Sequence, residues 1–409
     1  MKFPVATATL STGNFLWISR LFGITSERIR GLVLPWLFLA VTGSTTRTSI
    51  LVSAYQLPGA VLGVVLGLLI HRFGARNSFQ TASALLVTLV TTLYFLYLNG
   101  ELSFAILVLL SVLLGASENF QSVSLSTYTI GLAKTVNLSH YYARVEIADA
   151  LSTIAGPLFG GLLVATGTQN GLLADAACLS ISFFLFRRIL ASEPRESEIH
   201  HDTNRKNAFF HAVRVMLRPE MRPLLFVSFL LNIQGGTLLL LIVVIGRAFL
   251  HLGSVSVAFS ASAAGVGAIV GSALSRWILQ KSPLAAALII FPPGLLGSIL
   301  LYVTIVKRAS FCLPLGCFLI DLSSSAAFVL VLVWNANILH DVYEKSIISG
   351  FRASISALLM ILATLLLCSS ATAFRLSVST AVYSVLFLVL FVSVARLKQP
   401  SPWHASAQT

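Results

Sequence analysis

The chain reads as long apolar runs separated by short polar turns. The runs at 102–114, 238–245 with its flanks, 357–367 and 378–394 each sit in a window of about 20 residues, enough as helix to cross a hydrocarbon layer ~30 Å thick. Twelve such segments can be marked, at roughly 13–42, 48–70, 78–99, 103–127, 144–167, 169–189, 222–247, 253–279, 283–306, 309–338, 347–371 and 375–396. The long polar interruption lies at 191–207, around SEPRESEIHHDTNRKN, and parts six spans from six. Just beyond it Phe209, Phe210, Val213, Met216 and Leu217 recur at helical spacing among His211, Arg214 and Arg218. That pattern suits an amphipathic helix lying on the inner membrane surface.

The expected fold is an all-α membrane protein with twelve transmembrane helices in two six-helix bundles. Residues 1–190 would form the N-terminal bundle, 191–221 a cytoplasmic linker with the amphipathic helix, 222–396 the C-terminal bundle, and 397–409 a cytoplasmic tail. A weak internal repeat supports two related halves. Gly63, Gly67, Arg72 and Phe73 in the second span match Gly267, Gly271, Arg276 and Trp277 in the eighth, at an offset of 204 each time. Glycines four apart let helix backbones approach closely, which is how spans pack when lipid is as apolar as the partner helix.

Composition agrees with the pattern. The 409 residues are 56% hydrophobic and 10% charged, against about 25% charged in soluble domains, too few to coat two or three polar surfaces. The net charge of +13 invites nucleic acid as a partner, but its placement argues for topology. With the N-terminus inside, 19 of the 27 Lys and Arg residues fall on the inner face, five outside (Arg47, Arg247, Lys307, Arg308, Arg375) and three within the first span (Arg20, Arg28, Arg30). This positive-inside bias puts both termini in the cytoplasm, with anionic lipid as the partner of the basic loops. Residues 1–19 lack a basic start, compact apolar core and small-residue cleavage site, so no removed signal peptide is expected.

Cys178, Cys312, Cys317 and Cys368 lie in apolar runs without metal-binding spacing, which reads as buried free thiols. The eight His residues fall mostly in loops or at span ends, and no phosphate-cradling loop, HExxH or GxSxG stands out, so neither an enzyme nor a cofactor is expected. Asn137-Leu-Ser falls on the inner side and should carry no glycan.

Candidate chemistry rests on charges inside the spans, since each costs about 2.5–3.5 kcal/mol on insertion scales. Glu27, Arg28 and Arg30 sit in the first span; Glu27 and Arg30, three apart on one helix face, form the natural local pair. Such a pair could hold structure or serve translocation. Asp321 lies ~18 Å from the outer end of the tenth span, near mid-membrane, with no basic neighbour in its own span. It must find a partner, a water-filled cavity or a proton, which makes it a candidate proton carrier. By residue count Asp175 is nearer the outer face and Glu118 in the inner half of the fourth span, while Glu146 and Asp149 read as interfacial charges within reach of Arg144. Asn232, Gln234, Gly235, Gly236 and Thr237 suggest a loosened stretch of the seventh span facing a cavity, or close packing alone. Asn335 and Asn337 would line the same path.

Taken in order, these residues resemble the major facilitator superfamily over about residues 13–396. The loop Gly67-Leu-Leu-Ile-His-Arg-Phe-Gly-Ala-Arg76 is similar to the superfamily's G-x-L-x-D-R-x-G-R-[RK] signature. Gly156-Pro157-Leu-Phe-Gly160-Gly161 resembles the G-P-x-x-G-G motif of proton-coupled exporters. Leu34-Pro35-Trp36, Thr42-Gly43-Ser44, Leu57-Pro58-Gly59, Asp175-Ala176 and Leu231-Asn232 with Gly235-Gly236 look like the branch of macrolide-efflux and enterobactin-export permeases. The chain departs from the signature at His71 and Ala75, and the fourth span holds Glu118 and Asn119 where such exporters often have arginine. An imidazole at His71 changes charge between about pH 5 and 8, which would make the inner gate pH-sensitive.

The resemblance implies two bundles related by an axis along the membrane normal, with the solute path between them, and transport by alternating access. Gly67, His71, Arg72, Gly74, Arg76, Gly156, Pro157, Gly160, Gly161, Gly267 and Gly271 would serve gating and helix contact. Glu27, Arg30, Asp321, Asn232, Gln234, Asp175 and Glu118 would line the cavity or couple transport. The expected cargo is a small amphipathic molecule, drug-like or a siderophore, moved outward through a bacterial inner membrane by a monomer, with protons as coupling ion and no nucleic acid. An importer or lipid-moving permease of the same fold is the nearest rival, and a membrane enzyme or scaffold a distant one.

Overall fold

The computed structural model describes residues 5–131, 138–192, 218, 221–338 and 342–395. Twelve helices account for nearly all of them: α1 (Val5–Thr42), α2 (Thr45–Phe73), α3 (Ala75–Leu98), α4 (Phe104–Gly131), α5 (Leu138–Thr166), α6 (Thr168–Ser192), α7 (Met221–Val243), α8 (Ser254–Ile278), α9 (Pro283–Lys307), α10 (Cys312–Ile338), α11 (Val342–Leu367) and α12 (Ala373–Ala395). The protein is all-α. Nine of the described helices are long and apolar enough to cross a membrane. α1 is not among them, since Arg20, Glu27, Arg28 and Arg30 dilute its middle. The linker, amphipathic helix, C-terminal tail and Asn137 expected from the sequence fall outside the described residues.

Helix is the form that satisfies every backbone N–H and C=O without water. Side-chain hydroxyls solve the same problem locally. Ser83, Ser117, Ser228, Thr304 and Ser393 each donate to the carbonyl four residues back, so buried Ser and Thr do not demand a partner from lipid. Turns are short: Gly43, Gly74, Gly100 and Gly167 take positive φ at the junctions of unit 1, and Ser44 caps α2 by accepting from the Arg47 amide. α7 runs unbroken through Gly235 and Gly236, so the loosened stretch expected there is absent. The irregularity comes later, as a π-helical turn at Val244–Phe249.

The chain divides into two compact units. Unit 1 is Met1–Thr203 with Gly253–Ser262, so the start of α8 joins the first half instead of the second. In it α1 packs on α5 and α6, and α4 on α2 and α3. Unit 2 is Asn204–Leu252 with Ala263–Thr409, where α9 packs on α10 and α12, and α7 on α10 and α11. Small residues set the helix spacing. A Cβ on Gly115 would overlap the Tyr55 carbonyl, bringing α4 against α2. Cβ atoms on Gly267 and Gly271 would overlap the carbonyls of Phe318 and Leu322, bringing α8 against α10. Gly161 meets Ala258 and Ser254 at the start of α8, where Ser254 also donates to the Gly161 carbonyl at 2.8 Å.

Candidate functional site

Arg30 is the centre of the one buried charge cluster among the described residues. It sits on α1, is 3% exposed, and its guanidinium reaches two acids on two other helices. Nη1 lies 3.3 Å from Glu118 Oε2 on α4, and Nε lies 3.3 Å from Asp175 Oδ2 on α6. Ser26, one helical turn before Arg30, accepts from Nη2 at 3.0 Å and donates to Asp175 Oδ1. Tyr55 on α2 donates its hydroxyl to Glu118 Oε2. Four helices thus meet at one polar knot, which explains how ionisable groups survive in an apolar bundle.

The local pair expected on α1 does not form. Glu27 is exposed and Arg30 is taken by Glu118 and Asp175. A three-residue spacing allows contact only if the two side chains have nothing better on a neighbouring helix. Residue counting also put Asp175 and Glu118 at different depths, yet both reach the same guanidinium. Helices tilt and the arginine stem is long, so depth along a helix does not fix where charged tips meet. Asp149, expected at the interface within reach of Arg144, whose side chain lies outside the described residues, pairs with Arg28 at 2.8 Å. Its position on α5 is two turns before Gly156, whose missing side chain makes room for the Arg28 stem. Between them Ser152 hydrogen-bonds Thr25 at 2.9 Å, and one turn beyond Gly156 a Cβ on Gly160 would meet Ile29 at 3.6 Å, so one face of α5 is fitted to α1. Pro157 is buried in the same stretch.

Unit 2 carries a neutral polar cluster. Gln234 on α7 is fully buried; its Oε1 accepts from Ser324 on α10 at 3.1 Å, and its backbone carbonyl accepts from Tyr383 on α12 at 3.0 Å. The Tyr383 hydroxyl also meets Thr237 at 2.5 Å. Asp321, half-buried on α10, lies within electrostatic reach of Tyr383 and Cys317. Asn232 donates to the Ser228 carbonyl at 2.7 Å. The adjacent glycines differ: Gly235 faces open space, whereas a Cβ on Gly236 would overlap Met360.

Of the signature loop, Gly74 adopts φ 78 between α2 and α3, and Arg72 is exposed beside the Phe73 ring. The side chains of His71, Glu146, Asn335 and Asn337 and the surroundings of Gly67 lie outside the described residues, while Arg76 is half-buried at the start of α3. Sequence reasoning missed Ser26, Tyr55 and the Arg28–Asp149 pair. Ser26 had a readable signal, a hydroxyl four residues before a buried arginine on a helix. Another signal was the repeat itself: Gln234 lies 204 residues after Arg30, the offset of the matching glycines, and both reach the fourth helix of their unit.

The fold is shared with solved transporters of low sequence identity. A bacterial homologue of the iron transporter ferroportin, in an inward-facing state, is 15% identical with a TM-score of 0.69, covering 94% of this chain and 98% of its own. A bacterial homologue of the human lysosomal transporter Spinster is 12% identical with a TM-score of 0.71, covering 96% and 98%. The E. coli fucose:proton symporter is 10% identical with a TM-score of 0.61, covering 96% and 100%. No curated protein matches the chain. The Major Facilitator Superfamily model matches residues 16–364. With that match spanning most of a twelve-helix chain, the protein belongs to the major facilitator superfamily.

Proposed function

We propose that the protein is a secondary transporter that exports a small amphipathic organic solute across a bacterial inner membrane by alternating access, in exchange for protons. The observation that carries this reading is one arginine held between two carboxylates in the middle of the first unit. With both acids ionised, Arg30, Glu118 and Asp175 sum to one negative charge in surroundings that penalise any uncompensated charge. A proton removes that excess, so the cluster has a reason to take one up and a reason to release it when its surroundings change. Glu118 is the reachable member, with 23% of its side chain exposed against 1% for Asp175.

The proton therefore binds at Glu118, while Asp175 and Ser26 hold Arg30 in place. Asp321, the carrier favoured by its position in the sequence, takes a secondary role beside the Gln234 cluster. Outward direction follows from the likeness of Gly156–Gly161 to the exporter motif, and cytoplasmic termini from the placement of Lys and Arg. The protein acts as a monomer of two six-helix bundles, and the largely apolar spans suit an amphipathic cargo better than a polyhydroxylated one.

The test is accumulation of a panel of radiolabelled or fluorescent amphiphiles in cells with and without the protein, before and after a protonophore. Export predicts lower accumulation, abolished by the protonophore and by Glu118→Gln, with Asp321→Asn less affected. Higher accumulation in expressing cells would reverse the direction, and loss of export only in Asp321→Asn would move the proton to unit 2.

A further inference from the structure

We propose that the exported solute is an organic cation, and that it competes with a proton for the Glu118 carboxylate. This rests on the export reading and narrows its cargo. The described charged side chains within the unit 1 spans, away from helix ends, are Arg20, Glu27, Arg28 and Arg30 on α1, Glu118 on α4, Asp149 on α5 and Asp175 on α6. α2 adds the neutral Tyr55, α6 the thiol of Cys178, and the charged residue of α3, Arg76, lies at its end. Four acids face three bases. Arg28 is engaged with Asp149 and Arg30 is divided between Glu118 and Asp175. Glu27, Arg28, Arg30 and Asp175 all act electrostatically on Glu118. Among the described side chains of unit 2 the acid within the spans is Asp321, and Arg222, Arg247, Lys281, Lys307, Arg308 and Arg375 lie at helix ends.

A second observation concerns unspent hydrogen-bonding capacity. Arg30 Nε and Asp175 Oδ2 are both buried and lie 3.3 Å apart as an ion pair, yet neither makes a hydrogen bond. They mark where the guanidinium turns when Glu118 lets go: a small rotation gives Arg30 fully to Asp175. Glu118 is then free to meet another positive group at its open side. A proton and a cationic headgroup satisfy the same vacancy, and both cannot hold it at once.

The charge balance also decides against the other expected cargo. An anion such as an iron-loaded siderophore would enter a region already negative, where like charges repel more strongly than in water because the effective dielectric constant is lower. An amine-bearing amphiphile is attracted for the same reason. Its apolar body meets apolar spans, and its charge meets Glu118.

Two probes of one shape and opposite charge separate these cases: tetraphenylphosphonium and tetraphenylborate. Their binding to the purified full chain in detergent should be measured from pH 5.5 to 8.5, in buffered and lightly buffered solution. One-for-one competition predicts that the phosphonium Kd rises up to 10-fold per pH unit on acidification, with proton release on binding, because linkage is reciprocal. Glu118→Gln should flatten that slope and abolish the release, with Glu118→Asp keeping part of both. Tetraphenylborate binding as tightly as the phosphonium, or phosphonium binding without pH dependence or proton release in the unaltered protein, overturns the proposal. Proteoliposomes with an imposed pH gradient distinguish its failure from that of the export reading. If the gradient drives a neutral or anionic amphiphile but no cation, the cargo inference falls and export stands; if it drives none of the three, both fall.

Discussion

Replacing Arg30 with methionine tests the cluster most directly. Methionine fills much of the same volume and removes the charge, leaving Glu118 and Asp175 without their cation. At the observed 3.3 Å separations each pair is worth about 5 kcal/mol at an effective dielectric constant near 20. The gain from no longer burying the guanidinium offsets part of this, and breaking a buried pair from one side typically costs about 3–5 kcal/mol. Over a unit of this size that corresponds to a fall in melting temperature on the order of 10 °C.

The cost must depend on pH, and its sign can be worked out. In Arg30→Met two carboxylates share a site with nothing to balance them, and a proton on either relieves the strain. Relief grows as pH falls, by up to about 1.4 kcal/mol per unit for one proton. The variant should therefore be least stable relative to the parent near pH 8 and recover towards pH 5.5. Adding Asp175→Asn should restore about half the loss at pH 8, since it removes one of the orphaned charges. Thermal unfolding in detergent, followed by the fluorescence of the five tryptophans, measures all of this. A drop that is the same at both pH values and indifferent to Asp175→Asn would mean Arg30 acts through packing, and the charge argument would fail.

Other expectations come from packing and from the remaining polar contacts. Gly267→Ala should destabilise by about 1–3 kcal/mol, because its Cβ would overlap the Phe318 carbonyl; Gly235→Ala, which meets nothing within 4 Å, should be neutral or slightly stabilising in the same melt. Tyr383→Phe removes the hydroxyl that serves both the Gln234 carbonyl and Thr237, and should cost about 1–3 kcal/mol by the same unfolding measurement. Arg28 and Asp149 are 36% and 43% exposed, so Asp149→Asn should cost less than about 1 kcal/mol. Reversing Arg28 to Asp alone should impair export, and exchanging both charges should recover it.

The two halves of this protein were unequally legible. Helix number and the all-helical class follow from the length and spacing of apolar runs, because a bilayer permits few other backbones. Gly267 and Gly271 announced a close helix contact because absence of a side chain is itself the signal. Charged positions were different. Glu118, Asp175 and Arg30 each stood out as expensive, yet their mutual contact joins residues 88 and 145 positions apart, which no local periodicity encodes. The local candidate, Glu27 with Arg30, looked better on paper because the sequence displays only contacts within a helix. Tyr55 had no local pattern to single it out, and its role depends on Gly115 bringing α4 against α2.

The offset of 204 sharpens what the charge in unit 1 is for. Arg30 and Gln234 occupy equivalent places, and each bridges to the fourth helix of its unit, Arg30 to Glu118 and Gln234 to Ser324. A polar link between these two helices is therefore part of the scaffold, while its charge belongs to one unit alone. The two links should respond oppositely to an apolar substitution. Gln234→Leu loses the 3.1 Å bond from Ser324 but also removes a buried Nε2 that has no partner. Those effects are each about 1 kcal/mol and opposed, so stability should change by less than about 1 kcal/mol. Proton-driven export should persist with an unaltered pH profile, whereas Arg30→Met should abolish it. Should Gln234→Leu remove the proton dependence as completely as Arg30→Met does, the neutral link would belong to the coupling path, and the division between a charged link and a neutral one would have to be abandoned.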